Sequence, residues 1–558
     1  MLNVIINCIR FCGAFDLAMR GHGDTKSSNN PVVFHGLINF AQELDLALKE
    51  HMESSDVFKG PSKTIQNELL DVMLDTIREE IKSEIDQAPF LAAIADETTD
   101  IAKFAQLATV FRYVCADGSV VERFWGYKVP DNLNADGITA ALKQDIRAVL
   151  GAKKDKLVCQ AYDGAAVMAG HLYGVQTLIK HVYPHAHYIH CECNEVNLAV
   201  QKLCRANSRT SVFFNGINSI HTFFTHSSDH VSALQACLDK RVPPVPPILW
   251  CHNTHTVNIV YEIEDALYDC FCELESNVHT AATIEAASNL KRTLEDEEFC
   301  SWLGFFHRIM PNAEVFFKQL QAGNVDAALS QQLVQDFVTH MQAVRIDVSK
   351  GKLNMQESEN MRRKRRRGEK YQQTLKAAAI EVCDTIISQI TERFSFTAHF
   401  EANSLVFPGN FARFEKSFPT AAFNTTLTLF PMLDKVVLET ELRLLYQRIE
   451  FRWATGAIPI LKFILANDLK ETFCETVKLL QIVCTMPMTS GEAERGFSTL
   501  QRIKTFLRNS MGEVRLNAIA MLSIEKQFVN SIIDFNMKVI DRFSRIAHRR
   551  MDFSYKKM

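Results

Sequence analysis

Apolar residues along this chain recur with two different periods. Ile65, Leu69, Met73, Ile77 and Ile81 return every four positions, with Leu70 and Leu74 widening the stripe, which predicts a helix with one buried face. Residues 1–89 as a whole read as helical. The period then changes. Leu91 to Ala95 is a short apolar run ending on Asp96, which predicts a buried strand. Gln106 to Cys115 and Val120 to Val129 predict two more, joined across the turn pair Asp117-Gly118 as an antiparallel hairpin. A helix from Gly137 to Leu150 leads to a fourth strand ending near Asp163. A helix from about Ala165 to Val182, a strand His187 to Cys191 and a helix from about Glu195 to Ala206 follow.

From about residue 260 to 480 the patterns are helical and strand alternation is scarce. Past residue 485 a new helix starts. Thr489 can cap it, Glu492 completes a capping box, and Phe497, Leu500, Ile503 and Leu507 share its apolar face. A second helix runs from about Glu513 to Phe528. Three strands in a meander, then helix and strand in alternation, is the order of a ribonuclease-H-like fold. The expected class is α/β: a ribonuclease-H-like core interrupted by a large all-helical insertion, with a helical N-terminal region. The expected divisions are 1–89 (helical), 90–255 (first part of the core), 256–480 (helical insertion), 481–530 (completing the core) and 531–558 (tail).

Three acids stand out in that frame. Asp96 and Asp163 each end an apolar run, and a buried strand that ends on a carboxylate presents it at a sheet edge, where ligands and metals bind. Glu494 sits early in the capped helix, where the ordinary role of a glutamate is to face the helix dipole. Two strand-end acids joined by a third from a packed helix form a site able to hold two divalent ions about 3.5–4 Å apart for phosphoryl displacement. Magnesium suits such a carboxylate set. His181, His185, His187, His190, Cys191 and Cys193 are close in sequence, but alternate residues of a strand face opposite ways and do not converge.

Composition narrows the class. The chain has 558 residues, 47% of them apolar and 23% charged, as in globular proteins with ample core. It lacks any run of about 18 apolar residues, so no membrane-spanning helix is expected. Its apolar start lacks a basic opening and a cleavage site, so no signal peptide is expected. The 15 cysteines are scattered and read as reduced thiols. A net charge of −4 argues against a chain that coats DNA non-specifically. The exception is the basic run Arg362, Arg363, Lys364, Arg365, Arg366 and Arg367, which reads as a nuclear-import signal, a phosphate-contacting loop or a solvated linker. No Gly-rich phosphate loop, nucleophile elbow or redox Cys-x-x-Cys is present, and no small-molecule cofactor is expected.

The segments Asp96-Glu97-Thr98-Thr99-Asp100, Tyr162-Asp163-Gly164-Ala165-Ala166 and Glu492-Ala493-Glu494-Arg495-Gly496-Phe497-Ser498 together resemble the hAT superfamily of DNA transposases. More narrowly, the chain is similar to transposon-derived proteins with a DUF4371-type region and a C-terminal hAT dimerisation region. The resemblance runs from near the N-terminus to about residue 530. It implies cut-and-paste chemistry, with Asp96, Asp163 and Glu494 as the catalytic, magnesium-binding triad. It also implies a homodimer, for which Phe497, Leu500, Ile503 and Leu507 are the expected contact residues, and DNA as a partner, contacted by Trp250 and the basic run Arg362 to Arg367. A tryptophan can stack an unpaired base, with core packing as its competing role.

Three departures change the functional expectation. Ile248 and Leu249 stand where the family has Thr-Arg before its tryptophan, removing a cation beside phosphate. Asn194 replaces the family histidine, and an amide does not carry protons as an imidazole does. No zinc-binding spacing precedes Asp96. The expected function is therefore a transposase-derived nuclear protein with dimerisation activity and DNA as a candidate partner, its catalysis reduced or lost. The alternative is a competent hAT transposase working by two-metal phosphoryl transfer. A purely structural interaction protein is a third reading.

Overall fold

A computed structural model describes residues 1–19, 32–54, 62–100, 103–162, 165–170, 172–190, 208–225, 227–237, 251–276, 280–320, 327–350, 369–393, 398–487, 491–504 and 511–546. The chain divides into two compact units, one formed by Met1–Cys191 with Ala398–Met558 and the other by Glu192–Thr397. All described elements of the second unit are helices.

The first unit is built on one five-stranded sheet. Its strands are β1 (Leu91–Thr99), β2 (Ala105–Val114), β3 (Val120–Lys128), β4 (Leu157–Tyr162) and β5 (His187–His190), in the order β3-β2-β1-β4-β5. β1, β2 and β3 pair antiparallel, while β4 pairs parallel to β1 and to β5. The inner strands are largely apolar because both faces are covered, and all six residues of β4, Gln160 included, are buried. Gly118, at φ 78°, makes the hairpin turn where Asp117-Gly118 predicted it.

Helix α4 (Lys63–Gln87) follows its four-residue stripe: Leu69, Met73, Ile77 and Ile81 are each fully buried. Neighbouring β2 side chains bind helices on opposite faces of the sheet, as strand alternation requires. The Tyr113 hydroxyl donates to Glu84 of α4 at 2.6 Å. Arg112, 2% exposed, donates to the Cys484 carbonyl of the helix Cys474–Thr485 at 3.1 Å and pairs with Glu122 at 2.8 Å. The Ala135–Leu150 helix carries Asp145, which accepts from Thr109 at 2.9 Å and from Lys128 at 2.5 Å.

β3 is an edge strand, and an uncovered edge invites pairing with other chains. The helix Glu513–Ile524 and the residue after it close that edge. Asn517 accepts from the Tyr127 amide at 2.6 Å and donates to the Tyr127 carbonyl at 2.9 Å, as a strand neighbour would. Glu525 accepts from the Phe124 amide at 2.7 Å. The register slips between these two, and the carbonyl of Trp125 in the slip accepts from Arg78 at 3.0 Å.

Three expected elements differ. The helix expected over 165–182 is two short ones, Ala166–Ala169 and Val175–Lys180, with Gly174 packed against the backbone of Gly170. The helix expected over 513–528 ends at Ile524, and a new one starts at Lys526, because Glu525 turns onto β3. The chain returns to the first unit at Ala398, not near residue 481, and the second unit starts at Glu192 rather than at 256. Helical periodicity marks a buried stripe without naming the unit that buries it. The helix expected over 195–206 lies outside the described residues.

The N-terminal helix Leu2–Ala14 reaches the same core, and a side chain at Gly13 would lie 2.7 Å from Leu522. Gly13→Ala is expected to force these helices apart and lower the unfolding free energy by about 1–3 kcal/mol, measured by urea denaturation.

Candidate functional site

β1 carries the first expected acid. Asp96 is 8% exposed, opposite Ala108 of β2, and its Oδ1 accepts from the Glu97 amide at 2.9 Å. On the other side, Ile94 of β1 pairs with Ala161 of β4. Each of these residues stands two positions before one of the two candidate aspartates in sequence. Asp163 itself lies outside the described residues. The helix Gly491–Ile503 carries the backbone of Glu494, whose side chain is likewise outside the description. The structure thus describes the side chain of Asp96, the strand that leads to Asp163 and the helix backbone at Glu494. Trp250, Arg362 to Arg367, Leu507 and the capping pair Thr489 and Glu492 fall outside it too, as do Cys191 to Asn194. Asp96 lies within β1 and not at its end, because pairing with β2 carries the strand on to Thr99; its carboxylate still offers hard oxygen, a donor that suits magnesium.

The Gly491–Ile503 helix packs on β1, β2 and β3. Ala493 and Ile503 are fully buried and Leu500 is 1% exposed, all within the unit's own core, with Phe497 packed at its margin. Leu500 and Ile503 were expected at a dimer contact. The sheet covers them first, because a helix with one apolar face buries that face on the nearest apolar layer. Gly496 sits close to β3, where its carbonyl accepts from the Tyr127 hydroxyl at 2.5 Å. Burial raises the Tyr127 pKa, so the phenol remains a donor.

The strongest feature of this region was not anticipated. Asp100, just past β1, and Lys504, just past the helix, form an ion pair at 2.5 Å with side chains 0% and 6% exposed. The same carboxylate accepts from the Phe104 amide at 2.9 Å and from the Gln106 amide nitrogen at 3.1 Å. Burial alone would raise the Asp100 pKa. The hydrogen bond from Lys504 and those from Phe104 and Gln106 outweigh it and hold the carboxyl below the usual range. The sequence held one signal for this pair: Lys504 falls one turn after Leu500, on the apolar stripe, where a lysine is out of place.

His187 begins β5, with its ring on the Leu429 carbonyl at 2.9 Å and edge-on to Phe430 at 5.2 Å between centroids. Burial lowers its pKa, which keeps the ring neutral. It is a satisfied core histidine. Among the described residues no group of three His, Cys, Asp or Glu side chains is placed to hold a metal.

Lys504→Met is expected to leave a buried carboxylate without its cation and to cost about 3–5 kcal/mol of stability, read from denaturant unfolding. The pH dependence has a definite sign. A depressed carboxyl pKa contributes stability above its unfolded value of about 3.9, and that contribution is lost as pH falls through the folded value. The wild-type chain should therefore lose stability in acid below about pH 4 more steeply than Asp100→Asn, as thermal melts across pH 3–6 would reveal.

Both partners of this ion pair lie in segments with recognisable kin. Residues 1–174 match the DUF4371 family, described as the ZMYM1/FAM200, RNase-like domain, and residues 441–528 match the hAT family C-terminal dimerisation region. The human protein named 52 kDa repressor of the inhibitor of the protein kinase is 21% identical over 520 residues, covering 86% of this chain and 67% of that protein. The mouse protein of the same name is 22% identical over 530 residues, covering 87% of this chain and 69% of its own length. Asp96 and Asp100 belong to the first matched region, Glu494 and Lys504 to the second, and one sheet carries both. The chain thus carries two regions that match known families, a DUF4371 region followed by a hAT family C-terminal dimerisation region.

Proposed function

We propose that this chain is a domesticated hAT protein that acts as a nuclear homodimer, contacting DNA and other proteins rather than mobilising DNA. The observation that carries the reading is the locking of the dimerisation-region helix onto the sheet of the DUF4371 region through Asp100 and Lys504. A dimerisation region built into the core is a load on stability in every copy, and this supports a retained role for it. The relatives named as a repressor support regulation by contact. The basic run Arg362 to Arg367 supports nuclear import, and the replacement of the family histidine by Asn194 supports weakened chemistry.

The strand order supports a ribonuclease-H-like ancestry, with Glu192–Thr397 as the helical insertion. Asp96, a buried carboxylate on β1, favours the second reading, a competent transposase. In that case Asp96, Asp163 and Glu494 would hold magnesium, which would supply Lewis acidity at phosphate oxygen. The chain's own part would be to aim Asp96 from a rigid strand and to fix the helix of Glu494.

Two measurements test these readings. Sedimentation velocity at tens of micromolar is expected to show a dimer, and a strict monomer would sink the first reading. Magnesium titration on hairpin and nicked DNA is expected to give no cleavage that Asp96→Asn abolishes; cleavage lost in that variant would establish the competent enzyme instead.

A further inference from the structure

We infer that two copies of this chain meet through the exposed apolar face running from Val436 to Trp453, with Trp453 as its anchor. The inference rests on the homodimer reading above and gives it a surface.

Within residues 441–528 the apolar faces of the later helices already serve the chain's own core: Leu480, Leu500, Ile503, Leu516 and Met521 are at most 1% exposed. The large apolar side chains left in solvent among the described residues of that region are Leu444 (37%), Ile449 (65%), Trp453 (82%), Phe463 (39%) and Val514 (60%). Three of these five fall between 444 and 453. The face continues upstream on the helix Lys435–Gln447, where Val436 is 74% and Val437 is 40% exposed. Val436, Thr440 and Leu444 are spaced at four residues, and Val437 lies seven before Leu444, so all four share one side of that helix. Its opposite side, with Leu438, Leu442 and Leu445, is fully buried.

Trp453 is 82% exposed. The other described tryptophans, Trp125 and Trp302, are buried. Trp453 projects from a turn whose neighbours are fixed. Phe451 is 1% exposed and packs edge-on against Phe463 and Phe473 at 5.3 and 5.8 Å. Arg452 pairs with Glu415 at 2.5 Å and donates to the Tyr446 carbonyl at 3.0 Å. A tryptophan displayed on a rigid turn loses little freedom on binding, and such residues dominate interface energetics.

Three arginines around this face are paired within the chain: Arg443 with Glu439, Arg448 with Glu450 and Arg452 with Glu415. Little cationic character is left over for nucleic acid, which a phosphate-binding surface requires. Apolar anchors inside a charge-balanced rim suit a protein surface of the same kind, and a two-fold contact pairs one patch with itself. The overlap with the matched dimerisation region makes a second copy the occupant.

Sedimentation velocity over a concentration series tests this on the full chain, with Trp453→Ala and the double variant Leu444→Glu/Trp453→Glu compared with wild type. Thermal melts of each variant verify folding, which substitution of exposed side chains should leave intact. Trp453→Ala is expected to weaken the dimer by about 10–100-fold, and the double variant to sediment as a monomer throughout. Phe40→Glu, on an exposed position outside the matched dimerisation region, should leave the dimer unchanged. A folded double variant with wild-type dimerisation overturns the surface while the homodimer stands. A monomeric wild type overturns both.

Discussion

A buried carboxylate and a buried ammonium, Asp100 and Lys504, hold together segments 404 residues apart. Removing two charges from water is costly, and an interior pair recovers that cost only when its geometry is good and its remaining bonding capacity is met. Here both conditions hold for the carboxylate, which receives a backbone amide and a glutamine besides the lysine. An apolar pair of similar volume could stabilise the site as well, but it would tolerate sliding. An ion pair within a hydrogen-bonded loop does not. It sets where the Gly491–Ile503 helix lies along β1, and so where Glu494 starts from.

The rest of the first unit is arranged around that lock. Tyr127 grips the helix about two turns before it, at Gly496, and Asn517 and Glu525 seal the edge of β3. The C-terminal segment therefore acts as part of the sheet's own architecture. This explains why its most apolar residues face inward. It also explains why association has to be sought on an outer layer, the helix Lys435–Gln447 and the turn after it, where the inward side is buried and the outward side is not. The candidate acid site and the proposed association surface fall in the same compact unit while occupying separate parts of it.

The strands were legible because alternation and apolar runs report burial directly. β1 to β5 appear within a few residues of where the pattern places them, and the Asp117-Gly118 turn is where two flanking strands require it. The helical stripe of α4 was equally direct. Periodicity was silent on partners. Residues 398–487 read as helices like those before them, yet they pack on the sheet unit, as Arg112 on Cys484 shows. Leu500 and Ile503 looked like contact residues because an apolar stripe does not say whether it meets its own core or another copy. Lys504 broke that stripe, and its meaning depended on Asp100, whose proximity only the fold reveals. Of the three candidate acids, the structure describes the side chain of Asp96 alone, so the site was legible as a motif further than it is visible as geometry.

The central claim is that the dimerisation region and the strand-bearing N-terminal region are one cooperative unit. Native-state hydrogen exchange across a urea series tests it most directly. Amides of Leu500, Ile503 and Lys504 should open with the same free energy and the same urea dependence as those of Ala93, Ile94 and Ala95 in β1. If the helix amides instead exchange through a small, urea-independent opening while β1 stays protected, the C-terminal region is an appendage and the account fails.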